Sequence, residues 1–305
     1  MKILVTGSSG FVGSWLVPEL RGAGHEVAGM PEPDVLDIGD MAAVRDAVAA
    51  VRPDGVIHLA GMAYAPDATA AAAEAIRVNL GGTLSVLEAC RAVVPGCSIV
   101  VVGSADVYRA PREGGTLIES SPLAPRGVYG LTKLAAEALA VAAAGTGGLR
   151  TAVVRSFNHT GPGQRPVFAV PAFAARILEA RRMGLHEIRA GNVDVARDLS
   201  DVRDVVRAYR LLLEALVANR VRPDQRVFNV ASGRVVTMRW VIGRLAELAG
   251  WAVSIEVDHT LVRADDPPEM RGDASALHSL TGWAPEIPFD ETLRDLVTSL
   301  EAARP

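Results

Sequence analysis

The chain has 305 residues, half of them apolar, and a formal net charge of −4 from 31 basic and 35 acidic side chains. That length supports one large α/β domain or a nucleotide-binding domain with a smaller partner. The interspersed charge excludes the basic stripe of a nucleic-acid binder, and no uninterrupted apolar run reaches membrane-spanning length.

The first residues enter a strand directly, without the layout of a signal peptide, so a soluble cytoplasmic protein is expected. Strand and helix signals then alternate. Residues 3–6 read as a short apolar strand and 11–21 as a helix ended by Gly22 and Gly24. Between them runs Gly7-Ser-Ser-Gly10-Phe11-Val12-Gly13. A Gly-x-x-Gly-x-x-Gly turn between a first strand and a first helix suits a dinucleotide: the glycines allow a tight turn and close backbone approach, and the helix amides face the pyrophosphate. Residues 26–30 form the second strand. It ends Ala28-Gly29-Met30-Pro31, without the carboxylate that would hold a ribose 2′-hydroxyl or an arginine for a 2′-phosphate, which leaves NAD and NADP both open. Asp37 and Ile38 fit an adenine edge, with capping of the helix near Asp40 as the alternative use of Asp37.

A helix at 41–51 leads to a third strand at 55–59. Its end, Leu59-Ala60-Gly61, is small enough for a cofactor to lie against the backbone. A long helix is expected from about 70 to 94, with Asn79 either a cofactor contact or a surface residue. Cys90 and Cys97 read as core thiols rather than a disulfide. After the fourth strand, at 99–102, comes Ser104, at the carboxyl edge where open parallel sheets bind ligands. Tyr129 and Lys133 open the next helix, at 128–144. Their spacing places phenol and ammonium on one face. Only Lys2 and Lys133 are lysines among the 31 basic residues, so the cation here is unusual for this chain. A compact ammonium can lower a phenol's pKa and hold a ribose hydroxyl where a forked guanidinium would not fit. Ser104, Tyr129 and Lys133 are therefore the candidate catalytic unit, with Tyr129 exchanging a proton with a substrate oxygen that Ser104 also binds.

A fifth strand at 150–155 completes a Rossmann-type, doubly wound parallel sheet over residues 1–156. Beyond it, prolines and glycines cluster at 161–171. Short strands are expected near 187–189 and 226–230, and helices at 168–182, 202–218, 237–249 and 290–303. Residues 157–305 read mainly as a smaller substrate lobe that returns late strands to the sheet.

The Gly7–Gly13 turn, Ser104 in Gly-Ser-Ala-Asp-Val-Tyr108, and Tyr129-x-x-x-Lys133 resemble the extended short-chain dehydrogenase/reductase family over essentially the whole chain. The blocks Arg155–Gln164, Gly191–Asp198, Asp201–Asp204, Phe228–Gly233 and Thr281–Trp283 resemble its nucleotide-sugar branch. Asn-His-Thr-Gly-Pro-Gly-Gln followed by Pro166–Pro171 is most similar to the GDP-4-keto-6-deoxy-mannose reductases and GDP-mannose 4,6-dehydratases. The resemblance implies an NAD(P)-dependent enzyme with a nucleotide-sugar substrate. Asn158 would contact the sugar nucleotide, and Arg197 and Arg263 its nucleotide part, as guanidiniums suited to phosphate oxygens. His159 is expected to support the pocket by hydrogen bonding. It also implies a homodimer through a four-helix bundle built from helices near 83–94 and 131–143, with burial inside the monomer as the alternative.

In dehydratases of this branch a glutamate and its neighbour handle the C5 proton and the C6 hydroxyl; here Ala105 and Asp106 stand there. Alanine has no proton to move, and Asp106 falls about 1.5 Å short of a glutamate's reach. The expected reaction is therefore reduction of the 4-keto group of a nucleotide-linked 6-deoxyhexose, GDP-4-keto-6-deoxy-D-mannose to GDP-D-rhamnose. A 4-epimerase, a 4,6-dehydratase and a non-catalytic dinucleotide sensor are the alternatives. Asp106 itself reads as a loop carboxylate near the substrate.

Overall fold

The computed structural model describes residues 1–109, 114–262 and 266–303. Six parallel strands form the main sheet, in the order Val227–Val230, Arg150–Ser156, Ser98–Val102, Gly55–His58, Lys2–Thr6, Glu26–Gly29. The inner strands are short apolar runs because both of their faces are covered. Along Lys2–Thr6 the pleat sends Ile3 and Val5 into a core shared with the helices Phe11–Gly22 and Val202–Val217. It sends Leu4 into a second core with Met41–Val51 and Gly82–Val93. The strand order reverses beside Lys2–Thr6, which has Glu26–Gly29 on one side and Gly55–His58 on the other. The carboxyl ends of the strands at such a switch point leave a crevice for ligands.

The later segments build a second layer. Ala196–Asp201 lies between Val235–Thr237 and Glu269–Gly272, the latter pairing Thr116–Leu117, and Asn158–Thr160 also joins Ala196–Asp201. A separate core packs the helices Ala169–Met183, Met238–Leu248 and Phe289–Ala302 around Ile177, Leu245 and Leu296. Val227–Val230 then returns to the edge of the main sheet beside Arg150–Ser156.

Two expectations about local structure change. The single helix expected from about 70 to 94 is a broken one: Ala65–Ala70, Ala72–Ala75, a π-helical stretch Ile76–Gly81, then Gly82–Val93. Ala71 interrupts it at φ −125° and ψ 59°. Alanine propensity gives no hint of such a break. The strands Ala196–Asp201 and Glu269–Gly272 also escape a hydrophobicity reading. Their sequences, ARDLSD and EMRG, lack a clean apolar alternation. They are held by polar groups, chiefly the buried Asp198 carboxylate. It accepts hydrogen bonds from the amides of Ser232 (2.8 Å), Gly233 (2.9 Å) and Gly272 (3.1 Å) and from the Ser232 hydroxyl (2.7 Å).

Candidate active site

A cleft of about 1360 Å³ runs along the carboxyl edge of the main sheet and up to the second layer. Its floor is the turn after the first strand. A Cβ on Gly13 would lie 2.4 Å from the Gly7 carbonyl oxygen, so the first helix can sit this close to the turn only with glycine there. The Phe11–Gly22 helix starts at Gly10 with no side-chain cap and no acid in its first turn. Its first amides, on Phe11, Val12 and Gly13, thus present the positive end of the helix to the cleft, where a pyrophosphate would complete them. Leu59, Ala60 and Gly61 line the neighbouring wall. Together these residues fit a dinucleotide.

Asp37 and Ile38 also line the cleft. Asp37 does not cap the Met41–Val51 helix: Asp40 does, accepting from the amides of Ala42 (2.9 Å) and Ala43 (3.1 Å). Asp37 accepts the Gly39 amide at 2.8 Å and pairs with Arg77, which also binds Glu74. These Arg77 and Gly39 hydrogen bonds hold the Asp37 carboxyl below its ordinary range. The second strand brings no arginine of its own, yet the fold places Arg77, forty residues further on, against Asp37 in the cleft. Only the tertiary structure creates that contact.

Asn79 is no surface residue; it is 2% exposed. Its carbonyl accepts the Met62 amide at 2.7 Å, and its amide donates to Thr132 Oγ1 at 2.9 Å. It stands behind the cleft wall and ties the loop after the third strand to the helix that carries Tyr129 and Lys133.

That helix, Gly127–Ala143, is pressed onto the turn that carries Ser104. A Cβ on Gly130 would lie 2.8 Å from the Asp106 carbonyl oxygen. The close approach brings the Ser104 hydroxyl near enough to the Tyr129 phenol to lower its pKa. Ser104 Oγ also accepts the Asp106 amide at 3.1 Å, which fixes its rotamer. Burial, reinforced by the Asp106 carboxylate, pushes the Tyr129 phenol up, against the opposing pull of Ser104. Lys133 is buried one turn along. Its Nζ donates to the Val102 carbonyl at 2.8 Å, and desolvation lowers its pKa to about 8. Behind it His58 bonds Thr6 Oγ1 (2.7 Å) and Thr83 Oγ1 (3.1 Å), and burial drives its pKa down to about 3, so the imidazole stays neutral.

Sequence reading missed what holds the helix in place. Glu137 lies four residues after Lys133, on the same face. It forms a buried bidentate pair with Arg155, through Nε at 2.8 Å and a terminal nitrogen at 2.5 Å. The same guanidinium donates to the Glu119 carbonyl at 2.9 Å and lies 4.7 Å from the Tyr108 ring centre. Tyr108 in turn donates to Asn229 at 2.6 Å. The Arg155 and Asn229 motif positions thus clamp the site from behind. Tyr209 was also missed. It reads as an ordinary core position of an amphipathic helix, yet it lines the cleft, bonds Ser156 at 2.6 Å and lies near enough for Tyr129 to raise its pKa, after burial as the main cause.

On the substrate side, Asn158 and Asp106 line the cleft, and Asp106 sits 3.7 Å from Arg126. His159 stacks on Phe11 with ring centres 6.4 Å apart, bonds the Phe157 carbonyl at 3.0 Å, and has its pKa lowered by burial. Arg197 lines the cleft as well, but its fork is engaged: 2.5 Å to Asp266, 2.9 Å to the Pro267 carbonyl and 2.8 Å to the Ala196 carbonyl. Arg263 lies outside the described residues. Arg165 and Arg176 line the same wall. Nothing in their sequence settings separates them from the other arginines.

A Rossmann-type sheet with a cofactor turn and a serine–tyrosine–lysine cluster at one carboxyl edge defines a nicotinamide-dependent oxidoreductase fold. Residues 3–231 match the NAD dependent epimerase/dehydratase family, and the chain belongs to that family of extended short-chain dehydrogenases/reductases. It is 36% identical to GDP-6-deoxy-D-mannose reductase of Pseudomonas aeruginosa over 99% of this chain and 97% of the relative. With GDP-6-deoxy-D-talose 4-dehydrogenase of Aggregatibacter actinomycetemcomitans it shares 28% identity, over 92% of each chain. Among solved structures, RMD from Pseudomonas aeruginosa complexed with NADPH superposes with a TM-score of 0.88 at 35% identity over 99% of both chains. The UDP-glucose 4-epimerase of Thermus thermophilus in complex with NAD does so with 0.86 at 29% identity over the full length of both. The chain is thus an NAD(P)-dependent enzyme. Among the described residues no helix is long and apolar enough to cross a membrane.

Proposed function

We propose that this enzyme reduces the 4-keto group of a nucleotide-linked 6-deoxyhexose, GDP-4-keto-6-deoxy-D-mannose to GDP-D-rhamnose, with NAD(P)H. The observation that carries the reading is the setting of Tyr129, its phenol pushed up by desolvation, in the cleft with Ser104 beside the methyl group of Ala105. A reduction needs a phenol that already holds a proton to give. A dehydration also needs a base beside the sugar C5, and alanine cannot be one. A nicotinamide dinucleotide held at the Gly7–Gly13 turn would supply the hydride that C4 takes up. Ser104 orients the carbonyl oxygen, Tyr129 delivers its proton to that oxygen as negative charge develops, and the buried Lys133 ammonium steadies the phenolate that remains. The cations on the far wall, Arg165, Arg176 and Arg197, suit the nucleotide diphosphate. The identity with the Pseudomonas aeruginosa reductase over nearly the whole chain supports the same substrate.

The test is a panel of GDP-, dTDP- and UDP-linked 4-keto-6-deoxyhexoses, following oxidation of NADH and NADPH and the product's C4 configuration. The GDP sugar should turn over fastest. The Tyr129→Phe variant should lose about 10²–10⁴-fold in turnover while keeping its cofactor affinity. No oxidation with any 4-ketosugar, or undiminished turnover in Tyr129→Phe, would sink the assignment. Stoichiometric cofactor co-purifying with the protein, together with interconversion of C4 epimers, would establish an epimerase instead.

A homodimer in the cytoplasm fits the same reading. Leu84, Leu131 and Val141 are exposed on the Gly82–Val93 and Gly127–Ala143 helices and would be covered in a four-helix bundle. The mass in solution tests that assembly.

A further inference from the structure

On the opposite edge of the main sheet, away from the cofactor turn, lies a pocket of about 270 Å³. Arg150 opens the strand Arg150–Ser156, Arg226 immediately precedes Val227–Val230, and Arg220 and Arg222 follow the helix Val202–Val217. All four arginines line the pocket, with Asn219 and no acidic residue among its described lining residues.

Three of the four are oriented by neutral oxygens. Arg150 donates to the Gly96 carbonyl at 2.6 Å and to Ser98 Oγ at 3.0 Å, Arg220 to the Leu280 carbonyl at 3.2 Å, and Arg226 to the Thr151 carbonyl at 3.2 Å. Such partners fix direction without cancelling charge. Arg222 faces a carboxylate, Asp224 at 3.3 Å, and both side chains are mostly exposed. The carboxyl end of Val202–Val217 adds about half a negative charge, part of it spent on the amides of Asn219 and Arg220. One cation would answer that dipole; four exceed it, in a chain whose net charge is −4. Like charges gathered in a concave site are stable when an anion shares them. The volume falls below the roughly 300–1,000 Å³ typical of pockets for drug-sized ligands, which points to a small ligand.

We propose that this pocket is a second anion site that takes a small phosphoanion with one or two phosphoryl groups. The experiment is calorimetric titration of the full chain with inorganic pyrophosphate, and separately with inorganic phosphate. The wild type should show a binding event that weakens with added salt. The Arg220→Gln/Arg226→Gln double variant should bind at that site about tenfold or more weakly per guanidinium removed, with NAD(P) affinity unchanged. Arg222→Glu, a change at an exposed side chain that leaves the fold intact, should weaken it in the same direction. Absence of binding by either anion, or binding unchanged in both variants, overturns the proposal.

Discussion

The two walls of the cleft use their polar residues in opposite ways. The wall built from residues 1–156 presents helix amides without a cap, glycine backbone, and Ser104, Tyr129 and Lys133. These groups spend little of their bonding capacity on the protein. The wall built from the later segments carries the more conspicuous polar motifs, yet Asp198, Asp201, Asp204 and Asn229 all point into the scaffold. Asp201 caps the Val202–Val217 helix and accepts from Thr292 at 2.7 Å, while Asp204 accepts the amides of Glu286 and Ile287. A charged motif residue is thus no guide to the ligand side of a wall. Buried carboxylates are kept because several amides depend on each of them.

Substitutions on the two walls should separate activity from stability. The largest effect is expected for Lys133→Met. It should cut turnover by about 10²–10⁴-fold yet move the unfolding free energy by no more than about 1 kcal/mol, since the buried ammonium costs desolvation that methionine avoids. Equal losses of activity and stability would erase the contrast. Next comes Asp198→Asn, the converse case. Its new NH₂ group would face amide donors and leave them unpaired, so denaturant unfolding should show a loss of about 2–4 kcal/mol with kcat preserved while the protein is folded. Arg197→Gln should raise KM for the nucleotide sugar by about tenfold and change kcat by less than about threefold, the signature of uniform binding lost. An unchanged KM would mean that Asp266 keeps Arg197 away from the substrate.

The smallest effect is a pH dependence. The folded imidazole of His58 takes a proton only near pH 3, whereas in the unfolded chain it does so near 6.5. Its contribution to stability is therefore complete above pH 6.5 and is lost as pH falls below it. Urea unfolding at pH 5.5 against pH 7.5 should show a His58-dependent loss of about 1 kcal/mol, absent in His58→Gln.

Much of the cofactor wall could be read in advance because its signals are local. The Gly7–Gly13 turn needs only a strand before it and a helix after it, and Tyr129 and Lys133 share a face by spacing alone. Asp37 and Asn79 were harder. Asp37 turned toward Arg77 across forty positions, and Asn79 proved to be a buried brace between a loop and a helix. In both cases the partner lies on another element. The short strands of the second layer were missed for a related reason: their stability comes from side-chain carboxylates and neighbouring strands rather than from an apolar pattern.

By itself the sequence determined the alternation of strands and helices, the family, the cofactor turn and the identity of the groups that can move a proton. Periodicity, glycine placement and the scarcity of lysine are properties of neighbours along the chain, and they survive without coordinates. Only the tertiary structure decided the electrostatic state of those groups. Desolvation pushes the Tyr129 phenol up and brings the Lys133 ammonium down to about 8, because it depends on what surrounds a charge. It also decided which arginines face a cavity and which carboxylates are already spent, since direction toward ligand or scaffold is set by packing between distant segments.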